Sequence, residues 1–134
     1  MSMKLTLEVA SRYLEKAQAK AREMGVSMSF AVLDAAGHLV ALHRMDKAPW
    51  LSAEIAQGKA YTSAAFRAPS HSIAERLGAL PMFTTAITVT THGRFMPQMG
   101  GLPIKFGDEL VGAIGASGGT GEQDLQVIQE AIEV

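Results

Sequence analysis

Apolar residues recur at spacings of three and four along Leu7, Ala10, Leu14, Ala17, Ala21 and Met24, which draws one stripe on a helix. Thr6 stands where an N-cap accepts a backbone N–H, and Gly25 where a helix ends in the left-handed conformation. Residues 27–34 then read as a strand, Asp34-Ala-Ala-Gly37 as a turn and residues 38–45 as the returning strand of a hairpin. Phe30, Val32, Leu39 and Ala41 supply core on one face. Leu33 and Leu42 imply that the other face is covered too, so the sheet should carry helices on both sides. Pro49 precedes a second helix over residues 52–66, where Ala56, Ala60 and Ala64 make a side small enough for close approach. Gly112 and Gly115 are the expected surface for that approach. Pro69 stops this helix, and Ser72-x-x-Glu75 caps a short third one over residues 70–80.

Residues 84–91, TTAITVTT, have strong strand propensity and predict a strand. His92-Gly93-Arg94 and Gly100-Gly101 then break any regular pattern and predict a loop. Residues 102–106 and 109–117 form a second hairpin across Gly107-Asp108. Gly118-Gly119 turn the chain, Thr120-x-x-Gln123 is a capping box, and Leu125, Ile128 and Ile132 stripe the last helix. A strand, glycine turn and helix N-terminus in one run expose N–H groups that suit an anion. The turn lacks the spacing and lysine of a phosphate loop. Adjacent hairpins favour an antiparallel sheet, hence an α+β fold.

Composition narrows the function. At 134 residues the chain has room for a single domain, residues 1–134, and 48% apolar against 19% charged residues makes it globular. Twelve Lys and Arg against thirteen Asp and Glu remove any large electrostatic reason to expect nucleic acid or an acidic membrane as partner. There is no cysteine, so disulfides, thiolate catalysis and Cys-held metal are excluded. The run MSMKLTLEVASRYLEK turns polar too early for a signal peptide, and no stretch approaches the roughly 20 apolar residues of a membrane span. The expectation is a soluble, cytoplasmic domain.

The four histidines, His38, His43, His71 and His92, show no metal-ligand spacing, so no metal site is expected. His38, beside a turn, reads as solvated, and His43, on a strand, as a structural histidine. His71 opens a helix after Pro69. His92, in a loop with Arg94 and before Gly100-Gly101, is the best functional candidate, since imidazole serves as acid, base or haem ligand near neutrality. Arg44 and Asp46 flank Met45 and point the same way, as a structural ion pair or as a ligand site with Arg44 gripping a carboxylate. Lys59 is either a solvated helix residue or a pocket cation. Asp34 is most simply a turn residue bonding its own backbone, and Asp124 suits a helix N-terminus without further function. Met82, Met96 and Met99 fill core or make a soft wall for a planar ligand.

Ala31-Val-Leu-Asp-Ala-Ala-Gly37, Arg44-Met-Asp46, Ala56-Gln-Gly-Lys-Ala60, Gly100-Gly-Leu-Pro-Ile104 and Gly112-Ala-Ile-Gly-Ala-Ser-Gly-Gly119, in this order, resemble the GlcG/HbpS-like family. That family includes the C-terminal domain of PduO-type proteins, and the likeness runs from about Leu5 to Ile132. The resemblance implies a profilin-like domain, a five-stranded antiparallel sheet flanked by helices on both faces, assembled into a homo-oligomer. It implies haem or a related tetrapyrrole as ligand in some members, and tilts Lys59 toward a pocket cation. The haem-binding members resemble each other in offering a histidine from the first helix. Residues 4–24 here contain none, and Tyr13 is the residue there with ligand chemistry. If haem binds, its iron therefore takes His92 first or Tyr13 second. The function expected is a small-ligand-binding protein, accessory to a catabolic pathway. Its pocket would hold an anionic molecule or tetrapyrrole near Gly100-Gly101 and Gly118-Gly119, with Arg44, Lys59 and Tyr13 contributing. The alternative is a cofactor-independent enzyme with His92 or Asp46 as acid or base and Arg44 as anchor.

Overall fold

The computed structural model describes residues 4–133. Thr6 Oγ1 accepts the Val9 N–H at 3.1 Å and opens α1 (Leu7–Met24), which Gly25 closes at φ 74°. β1 (Ser29–Asp34) and β2 (Leu39–Arg44) form the first hairpin. Then follow α2 (Leu51–Phe66), α3 (Ser70–Leu77) and α4 (Pro81–Thr90), the second hairpin of β3 (Gly101–Phe106) and β4 (Glu109–Ser117), and α5 (Gly121–Ile132). The strands pair antiparallel in the order β2-β1-β4-β3. The first and last hairpins thus meet at the centre, and the three middle helices form the excursion between them. No helix among the described residues is long and apolar enough to cross a membrane.

Strand alternation divides the core in two. Phe30, Val32, Ile104, Ile114 and Ala116 face α1 and α5 and make the main core with Leu14, Val127 and Ile128. Ala31, Leu33 and Ala113 face the opposite way and meet Ala56, Ala60 and Ala64 of α2. Both sheet faces are therefore covered, as Leu33 and Leu42 predict. The small residues act as expected at one of the two glycines. A side chain at Gly115 would strike the Ala56 carbonyl and come within 2.8 Å of the Ala60 nitrogen, so its absence lets α2 lie on the sheet. Gly112 has the opposite parity and lies against Leu5 instead.

The expected strand at residues 84–91 is helix α4, which leaves four strands where five were expected. Propensity lost to local bonding. Pro81 supplies a helical φ at the first turn, and the hydroxyls of Thr84, Thr85 and Thr88 donate to carbonyls four residues back at 2.9–3.0 Å. A threonine run is a strand only when another strand offers it an edge. Two smaller expectations also shift. Leu39 is 51% exposed rather than core, because the register slips between Val32 and Leu33 and pairs Leu39 with Leu33, toward α2. Leu7, at the start of the first stripe, is exposed as well.

Candidate functional site

A cleft of about 470 Å³ opens between the β1–β2 turn, one side of α2 and the loop after α4. Leu33, Leu39 and Tyr61 give it apolar surface, and His38, His92, Arg94 and Glu54 give it charge and hydrogen-bonding capacity. Each of these groups is positioned by a feature of the local sequence.

His38 is set by Asp34. The Asp34 Oδ1 atom accepts the N–H groups of Ala36 at 2.9 Å and His38 at 3.0 Å, which folds the turn around its own carboxylate. Asp34 Oδ2 then lies 3.6 Å from His38 Nδ1, and Gly37 lets the turn rest on the Tyr61 ring, where an added Cβ would sit at 3.3 Å. His92 is set by the end of α4. Its N–H donates to Val89 O at 3.0 Å and the Gly93 N–H to Thr88 O at 2.9 Å, the paired bonds of a Schellman turn. The residue that must turn left-handed in this motif is usually glycine. Here it is His92, at φ 56°. Arg94 is set by Thr91, whose carbonyl accepts its Nε–H at 2.9 Å, and by the Tyr61 ring, 4.6 Å beneath its guanidinium. Its two terminal nitrogens keep no partner among the described residues, so the fork is open to a carboxylate.

The loop that carries His92 and Arg94 is seated on α2 by Gly58. A Cβ there would come within 2.9 Å of Met96 Cβ and 3.0 Å of the Arg94 carbonyl, and Met96 N–H donates to Thr62 Oγ1 at 2.7 Å. Sequence reasoning missed Gly58, Tyr61, Glu54 and the role of His38. One signal was available, because a glycine inside a helix costs about 1 kcal/mol against alanine and usually marks close packing.

The other expected site residues divide among three places. Lys59, Gly100 and Gly101 meet at a buried junction of α2, β3, β4 and α5, with half-buried Gly119 at its edge, whereas Gly118 is exposed in the turn after β4. Lys59, 4% exposed, donates to Asp124 Oδ2 and to Ala116 O, each at 2.9 Å. Asp124 Oδ1 accepts the Gly119 N–H at 2.9 Å. Burial pushes the Asp124 carboxyl above its ordinary pKa, opposed by Lys59 and the Gly119 N–H. Side chains at Gly100 or Gly101 would collide with Lys59, and one at Gly118 with Ser27 and Met28. Two N–H groups of this turn are engaged within the chain, that of Gly119 by Asp124 Oδ1 and that of Thr120 by Gln123 Oε1 in a complete capping box. Asp124 thus does more than suit a helix dipole: it holds the buried lysine.

Arg44 and Asp46 are exposed at the far end of β2, with Arg44 Nη1 donating to Ala48 O at 3.3 Å and no ion pair between the two among the described residues. Tyr13 is buried in the main core between α1 and the sheet, on the face opposite α2, and burial raises its phenol pKa. The structure thus brings His92 together with His38 and leaves Tyr13 and Arg44 elsewhere. His43 Nδ1 lies 3.1 Å from Gln18 Oε1, a structural pairing as expected, and His71 Nδ1 is buried with no hydrogen-bond partner among the described residues. The methionines separate: Met96 covers Gly58, Met99 packs at Gly121 and Met82 is exposed. No group of three His, Asp or Glu side chains among the described residues could hold a metal ion.

A sheet covered by helices on both faces, with a histidine- and arginine-lined cleft on its α2 side, defines an α+β domain with an open recess beside α2. The chain belongs to the HbpS-like family, described as haem-degrading protein HbpS-like, which it matches over residues 5–133. It is 34% identical over 131 residues to an uncharacterised 15.0 kDa protein of the dhaT–dhaS intergenic region of Citrobacter freundii, covering 96% of this chain and 90% of that one. It is 36% identical over 114 residues to the protein GlcG of Escherichia coli K12, covering 84% and 81%. Its fold superposes with a TM-score of 0.87 on the crystal structure of a PduOC–haem complex at 25% identity, covering 97% and 94%.

Proposed function

We propose that this protein binds a small, flat, carboxylate-bearing molecule in the cleft between the β1–β2 turn, α2 and the His92–Arg94 loop. Haem or a related tetrapyrrole is the leading ligand, held within an oligomer accessory to a catabolic pathway. The observation that carries the reading is the convergence of His38, His92 and an unpaired Arg94 fork around one partly apolar recess. A similar fold holding haem in the PduOC complex supports the ligand class.

The donor set fits haem. His92 makes no side-chain bond among the described residues and could offer a ring nitrogen to iron, with His38 on the opposite lip. Arg94 would receive a propionate, while Tyr61, Leu33 and Leu39 would lie against the macrocycle. Bound haem would supply redox and ligand-binding chemistry. The chain's own residues would orient the ring, pair its carboxylates and shield one face from water. Haemin titration followed in the Soret region tests this. Saturable binding that Arg94→Ala weakens about tenfold is expected, and binding indifferent to both Arg94→Ala and His38→Ala would refute the site.

A further inference from the structure

Two opposite charges line the cleft without pairing. Arg94 stands over Tyr61 with its terminal nitrogens unpartnered, and Glu54 makes no hydrogen bond or ion pair among the described residues. Seven residues separate Glu54 from Tyr61, so the two lie on one face of α2, two turns and about 10 Å apart. Gln57, between them, donates its Nε2–H to Ala53 O at 3.1 Å, which fixes the amide and leaves Oε1 as an acceptor with no partner among the described residues. The cleft is therefore polarised. Arg94 offers donors at one end, while Glu54 and Gln57 offer acceptors at the other. A first-turn carboxylate also suits the dipole of α2, but the dipole asks nothing of which face it occupies.

We infer that Glu54 is the second anchor of this cleft and selects a ligand with N–H donors on the edge away from its carboxylates, which among tetrapyrroles is a ring-opened one. The inference rests on the ligand reading above and decides between its members. In a closed macrocycle the edge opposite the carboxylate side chains presents only hydrocarbon. A carboxylate held against hydrocarbon gains no bond and loses water. Opening the ring at the bridge on that edge leaves two lactam rings there, each with an N–H. Arg94 then takes a carboxylate while Glu54 and Gln57 Oε1 accept the two N–H groups, so both ends of the cleft are matched. Specificity comes from the difference between the two ligands, since one satisfies Glu54 and the other leaves it bare. The bond is charge-assisted, but Glu54 is exposed and water competes for it, so the preference expected is about five- to tenfold.

Titrations at fixed pH and salt use three probes, biliverdin, iron-free protoporphyrin and haemin, on the wild type, Glu54→Leu and Arg94→Ala. Biliverdin and protoporphyrin both carry two carboxylates and no iron, so they differ chiefly at the edge in question. The wild type should bind biliverdin about five- to tenfold more tightly than protoporphyrin. Glu54→Leu should abolish that preference by weakening biliverdin alone, and Arg94→Ala should weaken all three. Haemin binding retained by Glu54→Leu shows that the variant folds and keeps its cleft. A wild type without the preference, a preference that survives Glu54→Leu, or a Glu54→Leu variant weakened equally toward all three probes would overturn the role of Glu54. In each of those cases, haemin binding that depends on Arg94 leaves the cleft reading standing. Should Glu54→Leu fail to fold, Glu54→Gln keeps the shape and should lose part of the same preference; an unchanged preference there would likewise overturn the role. A wild type that binds none of the probes, or binds all three indifferently to Arg94→Ala, would overturn the cleft reading and the inference with it.

Discussion

His92 occupies a backbone position that glycine fills more easily, so His92→Gly separates ligand binding from folding. The residue closes α4 in a left-handed conformation at φ 56°, and its N–H already makes the bond that the turn requires. A side chain in that conformation costs roughly 1–2 kcal/mol, while glycine adopts it freely but loses about 0.5–1 kcal/mol of backbone entropy on folding. The balance is a gain of about 0.5–1 kcal/mol. For a domain of this size that raises Tm by about 2–4 °C. The imidazole itself is exposed and bonds nothing among the described residues, so its removal subtracts little. Ligand binding should move the other way. Loss of one strong polar or metal-directed bond is worth about 1.5–3 kcal/mol, which is roughly a 10- to 100-fold weaker Kd. Thermal melts in the absence of ligand, and haemin titration at fixed pH and salt, give the two numbers. A fall in Tm of several degrees would show that the imidazole holds the turn. An unchanged Kd beside a raised Tm would show that the ligand does not touch His92.

Gly58→Val should lower haemin affinity and cost about 1–3 kcal/mol of stability, because Met96 Cβ and the Arg94 carbonyl must retreat and carry the loop off α2; a variant with wild-type affinity would refute the seating role. Lys59→Met should cost about 3–5 kcal/mol in urea unfolding by leaving Asp124 buried and unpaired, and Lys59→Met/Asp124→Leu should recover most of it; an unaltered single variant would contradict the buried pair. Arg44→Ala should leave haemin affinity unchanged, since Arg44 and Leu39 lie at opposite ends of β2, about 17 Å apart at the rise of a strand. A clear weakening would move the site to the far end of the hairpin.

Much of the architecture was legible in the chain itself, because it depends on short-range rules. Thr6, Gly25, Thr120 and Gln123 fix helix ends through bonds made within four residues. Asp34 and Gly37 fix the first turn in the same way, and the strand at Glu109–Ser117 shows its burial in its own apolar run. The ordered motifs likewise pointed to the HbpS-like family that the chain belongs to. Where a local rule met no competing one, the pattern sufficed.

What tertiary structure decided was anything that depends on which neighbour a segment finds. TTAITVTT has the composition of a strand, yet no sheet edge reaches it, so its threonines satisfy themselves along a helix. Lys59 and Asp124 are 65 residues apart, and only the packing of α2 over β4 against α5 joins them in a buried junction. Glycines at 100, 101 and 118 look like a ligand cradle in sequence, but their missing side chains make room for Lys59, Ser27 and Met28. His38 and His92 come together because Gly37 and Gly58 let a turn and a loop settle on the same helix. Each of those contacts spans a sequence separation over which no periodicity operates, so the cleft existed for the chain only once α2 had packed against the sheet.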